Sequence, residues 1–196
     1  MSVGFLHTAE VHIATFEALL PELELEHIVR PELLEQARKL GVEAVRDNVT
    51  AELSQLMEKH DAVMCTCSTL GALVKAPVLR VDTPAMQAAA EAVTGQVLLA
   101  ICLESTRSAT LALFDRLAGN GRGKVLLCEA AWERFEAGDM QGYAAEIART
   151  VEAESGFDAV VLAQASMAVA APLLEAKGLR VFTTPSEAAK VLRAKA

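Results

Sequence analysis

The sequence predicts an α/β fold built twice: two similar, doubly wound lobes with parallel sheets, related by a pseudo-twofold and facing each other across a cleft. The first sign is a long internal repeat. Asp61-Ala62-Val63-Met64-Cys65-Thr66-Cys67-Ser68-Thr69-Leu70-Gly71 returns as Asp158-Ala159-Val160-Val161-Leu162-Ala163-Gln164-Ala165-Ser166-Met167-Ala168, at a spacing of 158 − 61 = 97 in a chain of 196 residues. The period is far longer than the ~20–50 residues of solenoid units and fits a duplicated domain. The second sign is alternation: short runs of Val, Ile and Leu are separated by longer helical stretches in both halves, as in βα units with strands buried on both faces. The third is an aliphatic core. Hydrophobic residues make up 53% and aromatics only 4%, and the mean hydropathy is +0.31, enough apolar material to fold without staples.

The strands expected in the first half are Val3–Leu6, Leu25–Val29, Ala62–Thr66 and Val78–Val81. Those of the second half are Val97–Leu103, Lys124–Cys128, Ala159–Ala163 and Arg180–Phe182. Between them Pro31–Leu40, Val42–His60, Asp139–Glu154 and Pro172–Ala176 read as amphipathic helices. Pro31 and Pro185 stand where a first helical turn tolerates proline. Gly41, Gly138 and Gly178 stand where helices stop. Shorter matches extend the repeat: Leu6-His7-Thr8 with Leu103-Glu104-Ser105, Glu32 with Glu129, Gly41 with Gly138, and Arg80-Val81-Asp82-Thr83 with Arg180-Val181-Phe182-Thr183 at 180 − 80 = 100. The duplication divides the chain into a lobe of residues 1–94, with 184–196 available to complete it, and a lobe of residues 95–183. The junction near Ala92–Gln96 is short, so the lobes are expected to dock closely.

Composition narrows the partners. The net charge is −8 and no basic stripe is visible, which argues against nucleic acid. The first residues lack the basic flank of a signal peptide. The longest weakly polar stretch, Ala159 to Leu174, contains Gln164, Ser166 and Pro172 and is shorter than the ~20 residues of a membrane span. A cytoplasmic protein with no membrane partner is expected, and a homo-oligomer remains open. Of the four cysteines, Cys102 and Cys128 fall in apolar runs, and Cys65 and Cys67 stand two apart on or just after a strand. No further Cys or His stands at zinc-site spacing, so no metal is expected.

In doubly wound sheets ligands sit beyond the carboxyl ends of the strands. Four loops occupy that position: His7-Thr8-Ala9-Glu10, Cys67-Ser68-Thr69, Glu104-Ser105-Thr106 and Gln164-Ala165-Ser166. Helix N-termini there offer free N–H groups and partial positive charge to a carboxylate or phosphate. Taken singly, the hydroxyls read equally as helix caps. Cys67 has the position of a reactive thiol, because a helix N-terminus lowers a cysteine pKa; alone it reads equally as a small buried hydrophobe.

Cys67-Ser68-Thr69-x-Gly71 resembles the first cysteine motif of the aspartate/glutamate/hydantoin racemase superfamily. Leu162-Ala163-Gln164-Ala165-Ser166-Met167 is similar to the second, of the form L-G-C-x-x-M. The resemblance spans the whole chain and implies two α/β lobes, an active site between them, and cofactor-independent proton transfer by two cysteines on opposite faces of the substrate. By position, it makes Cys67 the first-lobe thiol. It makes Thr8, Ser68, Thr69, Ser105, Thr106, Ala165 and Ser166 ligands of a substrate carboxylate, with His7 in the same loop set. Gln164 departs from the pattern, since an amide is neither acid nor base near neutral pH. The resemblance therefore implies one-sided chemistry on a small carboxylate or amino acid, with Cys67 as the thiol and Gln164 as a hydrogen-bond donor. Arylmalonate decarboxylase-like members also work with one cysteine, but keep the second-lobe one. Maleate isomerase-like members use a nucleophilic cysteine but keep two. Glu129 and His7 are candidates for the missing proton carrier; Glu129 reads equally as a solvated first-turn residue and His7 as a loop residue satisfied by backbone. Arg107 is the one arginine in a cleft loop, a partner for a second carboxylate or a side chain pointing to water. The competing class is a carboxylate-binding protein that has lost catalysis.

Overall fold

The computed structural model describes residues 1–196 and contains two four-stranded sheets, every strand pair parallel. In the first half the elements are β1 (Ser2–His7), α1 (Val11–Leu19), β2 (Glu24–Val29), α2 (Pro31–Leu40), α3 (Arg46–Met57), β3 (Ala62–Cys65), β4 (Leu79–Arg80) and α4 (Asp82–Ala92). In the second they are β5 (Val97–Ile101), α5 (Arg107–Ala118), β6 (Gly123–Leu127), α6 (Glu129–Glu136), α7 (Met140–Glu152), β7 (Ala159–Leu162), α8 (Ala171–Glu175), β8 (Val181–Thr183) and α9 (Thr184–Arg193). The strand orders are β2-β1-β3-β4 and β6-β5-β7-β8. No helix is long and apolar enough to cross a membrane.

The central strands are the continuous apolar runs. Every residue of β5 and β7 is buried, and alternate side chains serve opposite faces. Leu98 and Ala100 pack with Tyr143, Ile147 and Val151 of α7. Val97, Leu99 and Ile101 pack with Leu113 and Phe114 of α5. The edge strands β2 and β6 are only half-buried and carry Glu24, Glu26 and Lys124, charges that discourage further strand pairing.

The lobes exchange helices. α4 follows the first sheet in the chain, yet Ala85, Met86 and Ala89 pack against Val97, Leu99 and Val161 of the second sheet. α9 follows the second sheet, yet Ala188, Ala189 and Leu192 pack against Val3, Phe5 and Met64 of the first. α4 and α9 also lie against each other. Each sheet thus has one face closed by a helix drawn from the other half, which ties the lobes together without a linker.

Strand register corrects part of the repeat. Ala62 and Ala159 are equivalent in the long block; Val3 lies beside Ala62, and Val97 beside Ala159. Val3 therefore answers Val97, and the match of Leu6 to Leu103 is out by three residues. Arg80 lies beside Cys65 and Thr183 beside Leu162, so Arg80 answers Thr183 and not Arg180. Among the matches that fall on strands, only the block containing Cys67 and Gln164 is in register, because the connections between strands differ in length between the halves. The Val42–His60 helix is also divided: Val42–Val45 forms a 3₁₀ turn that buries Val45, and α3 begins at Arg46. Pro31 and Pro185 do occupy first helical turns.

Candidate functional site

In both sheets the strand order reverses direction between the two central strands, the switch point where α/β folds leave a crevice. The two switch points face each other. Between them lies a cavity of about 30 Å³. Its first-lobe wall is Thr8, Ala9 and His12 after β1, Leu34 of α2, and Thr66, Cys67, Ser68 and Thr69 after β3. Its second-lobe wall is Leu103 after β5, Trp132 and Phe135 of α6, and Gln164, Ala165 and Ser166 after β7. The space holds a water or two, far below the ~300 Å³ of a small-molecule pocket. An open cavity of about 400 Å³ adjoins it and shares Leu103 and Trp132. Leu103 and Trp132 thus stand between them; the Trp132 indole N–H donates to Glu136 Oε1 at 2.6 Å, and the Arg38 guanidinium lies 5.9 Å from its ring centre.

Cys67 is 8% exposed and packs within the same cluster as Leu6, Val63 and Leu70. Burial pushes its thiol above the ordinary value. The Thr8 and Thr69 hydroxyls and the N–H groups of Leu70 and Thr69 favour the thiolate and offset only part of this. The expected lowering is overturned. Cys67 precedes a four-residue 3₁₀ turn, Leu70–Leu73, instead of an α-helix, so desolvation wins over the few N–H groups that face the sulfur. The other three cysteines are buried and pushed up to about 12. Near neutral pH Cys67 therefore carries its proton and is a potential acid. Gly71 of the same motif makes room for Arg80: a Cβ there would lie 2.8 Å from the guanidinium, which is paired at 2.7 Å with the buried Asp82 carboxylate.

Gln164 occupies the matching place in the second lobe. Its Oε1 accepts the N–H of Cys102, and that of Leu103 at 3.3 Å. Only the amide oxygen is able to accept from an N–H, so the amide is held one way round and Nε2 is the end left for the cavity. The two lobes are chemically parallel here. The backbone N–H of Arg30 bonds to His7 and that of Cys128 to Ile101, which makes Thr8 the counterpart of Cys102. The Cys67 sulfur meets Thr8; the Gln164 oxygen meets Cys102.

The remaining expected residues divide into those that line the cavity and those that do not. Ser68 lines it, but its hydroxyl donates across the lobes to the Ala163 carbonyl at 2.8 Å. Thr69 lies 3.4 Å from Ser105, a second contact between lobes, and Ser105 itself lines the neighbouring cavity. Ser166 lines the cleft and bonds to the Tyr143 hydroxyl at 2.9 Å. Thr106 is fully buried and its hydroxyl donates to the Leu103 carbonyl at 2.8 Å, a local turn bond. Arg107 pairs with Glu104 at 2.6 Å at the surface. Glu129 lines the neighbouring cavity with Arg38 and Glu133. His7 is enclosed behind the cleft, bonded to Thr66 Oγ1 at 2.7 Å and to His27 Nδ1 at 2.8 Å. Burial, with His12 and His27 beside it, lowers its pKa to about 3.

Sequence reasoning missed His12. It is the second residue of α1, two residues beyond the loop segment singled out, and helix residues carry no strand-end signal. It lines the cleft, is 7% exposed, and is lowered to about 4 by burial. Its Nδ1 is sealed without a partner. Trp132 was also missed, since α6 belongs to the opposite lobe from Cys67 and only the docking of lobes brings it in.

No protein-family model matches this sequence, and no curated protein matches it. Solved structures do match. A glutamate racemase isoform from Bacillus anthracis superposes with a TM-score of 0.78 at 15% identity, over 98% of this chain and 80% of that one. The aspartate racemase of Picrophilus torridus gives 0.71 at 14%, over 94% and 89%. A single-site mutant of arylmalonate decarboxylase in a sulfate-associated form gives 0.64 at 18%, over 98% and 92%. The chain has the two-lobed α/β fold of the aspartate/glutamate/hydantoin racemase superfamily.

Proposed function

We propose that this chain is a member of that superfamily acting on a small carboxylate by one-sided, cofactor-independent proton transfer, of the isomerase or lyase type. Cys67 is the acid and Gln164 the hydrogen-bond donor opposite it. One observation carries this: the two in-register positions of the duplicated motif line a single cavity, one bearing a sulfur and the other an amide. The racemase and decarboxylase folds of the structural neighbours support the reaction class.

The chemistry follows from the charge that must be handled. When a bond to the carbon beside a carboxylate breaks and its electron pair stays on that carbon, the pair delocalises into the carboxylate as an enediolate. Preoriented N–H donors such as Gln164 Nε2 stabilise the developing oxygen charge. The Cys67 S–H then gives its proton to one face of the carbon, leaving a thiolate that water reprotonates. A thiol held above its ordinary pKa is suited to this order of events, because it begins protonated. For a malonate-type substrate the bond broken is C–C and carbon dioxide leaves. A single proton donor makes the product one-handed.

The test is turnover in deuterium oxide with a panel of malonates, amino acids and other small carboxylates. One deuterium at the α-carbon of a single enantiomer is expected, abolished in Cys67→Ala while binding persists. Turnover retained in Cys67→Ala sinks the role of the thiol. The second class, a carboxylate-binding protein without catalysis, is favoured by the amide at position 164. Binding of panel members with no product in the wild type establishes it.

A further inference from the structure

The cleft has no lysine or arginine in its walls; among its lining side chains His12 alone is able to become a cation. A carboxylate is larger than the closed space of about 30 Å³, so the walls part to admit it; once enclosed it needs more than neutral donors, because desolvating an anion without a counter-charge is costly. We propose that a carboxylate enters this cleft together with one proton, which settles on His12, so that His12 is the residue that recognises the anion's charge. The inference rests on the carboxylate site proposed above.

The geometry supports it from both ends. His12 sits at the seam of the lobes, lining the cleft and also the outer groove where α1 meets the turn at Ala165–Ala170. Its Nδ1 is enclosed without a partner, and its Nε2 makes no hydrogen bond in the protein and is not enclosed. Nε2 is therefore the nitrogen left to meet a ligand. The groups around the ring are His7 of β1 at a ring distance of 5.9 Å, with His27 of β2 behind it, and Cys67 after β3. From the other lobe come Ala165, Ser166 with the Tyr143 hydroxyl bonded to it, and Met140; α9 contributes Pro185 and Ser186. None of these is a carboxylate. The carboxylates of its own element, Glu10 and Glu17, are exposed, and Glu17 favours the charged form of His27; burial keeps His12 neutral down to about pH 4. A bound carboxylate is the first anion the ring would meet, and it raises the affinity of His12 for a proton. The sign follows. Between about pH 4 and the raised value, binding takes up a proton. Across that window the affinity falls about tenfold per pH unit, as one linked proton requires, and above the raised value it levels off.

The experiment is calorimetric titration of the full-length protein with malonate, aspartate and glutamate, near neutral pH, in buffers of different ionisation enthalpy. Wild type is expected to take up close to one proton per carboxylate bound, and His12→Gln none, with an affinity indifferent to pH. Binding by wild type without proton uptake overturns the inference and leaves the carboxylate site standing. Equal uptake in His12→Gln also overturns it, since the proton then rides on the ligand or on another group. Failure of wild type to bind any of the three overturns the carboxylate site and this inference with it. The imidazole proton resonances of the wild type give a measurement that needs no variant. One of the four histidines should move its titration from far below neutrality toward it when ligand is present; no movement refutes the assignment.

Discussion

Replacing Gln164 separates its two roles. In Gln164→Ala the N–H groups of Cys102 and Leu103 lose the oxygen they share. A buried donor left without an acceptor costs about 1–3 kcal/mol, and water entering the vacated space offsets part of that for two donors. A net loss of about 2–4 kcal/mol is expected, which for a chain of this size lowers Tm by roughly 5–15 °C. Gln164→Glu keeps an oxygen in the same place and strengthens its bonds by charge. Its stability should stay near wild type at neutral pH. Its binding should not, because the donor facing the cleft is replaced by an anion that repels a carboxylate. Urea unfolding measures the first effect. The second is read from Trp132, the single tryptophan and a wall of the cleft, whose fluorescence reports ligand titrations directly. A Gln164→Ala protein as stable as wild type refutes the anchored oxygen. A Gln164→Glu protein that binds carboxylates as tightly as wild type refutes the orientation of the amide.

Iodoacetamide should label Cys67 ahead of the other cysteines, because it alone lines the cleft, but only slowly near neutral pH. A labelling midpoint below the usual thiol value of about 8.5 contradicts the burial argued for it. His7 and His12, held at about 3 and about 4, are neutral in the fold, whereas an unfolded chain protonates them near pH 6.5. The unfolded state thus binds more protons below about pH 6.5, so stability is complete above that and declines as pH falls toward 4 and then 3. Urea unfolding at stepped pH should show a shallower decline for His12→Gln, and identical slopes would remove His12 from the account. Leu192→Ala, which empties space against Val3, Phe5 and Met64, should cost about 2–5 kcal/mol. Because α4 and α9 are exchanged between lobes, that loss should shift one cooperative transition seen alike by Trp132 fluorescence and circular dichroism. Two separated transitions would show that the lobes are not coupled.

The strands were legible where composition decided them: β5 and β7 are unbroken apolar runs because both faces are buried. The helix stops at Gly41, Gly138 and Gly178 were legible for a local reason, positive φ at each. The pairing of Cys67 with Gln164 was legible because the long block is dense enough to hold register, whereas the shorter matches slipped by three residues on strands whose flanking connections differ in length. Thr106 resembled a ligand by position, yet its hydroxyl is spent on the Leu103 carbonyl, a bond that depends on how the turn closes. His12 and Trp132 gave no signal, since neither lies in a strand-end loop.

What the chain alone determined is what repeats or alternates along it: two α/β halves, their buried strands, and a thiol in one copy where the other has an amide. Periodicity and local φ preference are one-dimensional properties and survive without coordinates. Burial, opposition and exchange are not. Only the tertiary structure decided that α4 and α9 cross between lobes, that the Gln164 oxygen is taken by backbone N–H groups, and that His12 is the sole basic side chain in the cleft. It also reversed the direction of the Cys67 pKa, because desolvation is summed over neighbours distant in sequence and here outweighs the few N–H groups that a motif places beside a sulfur.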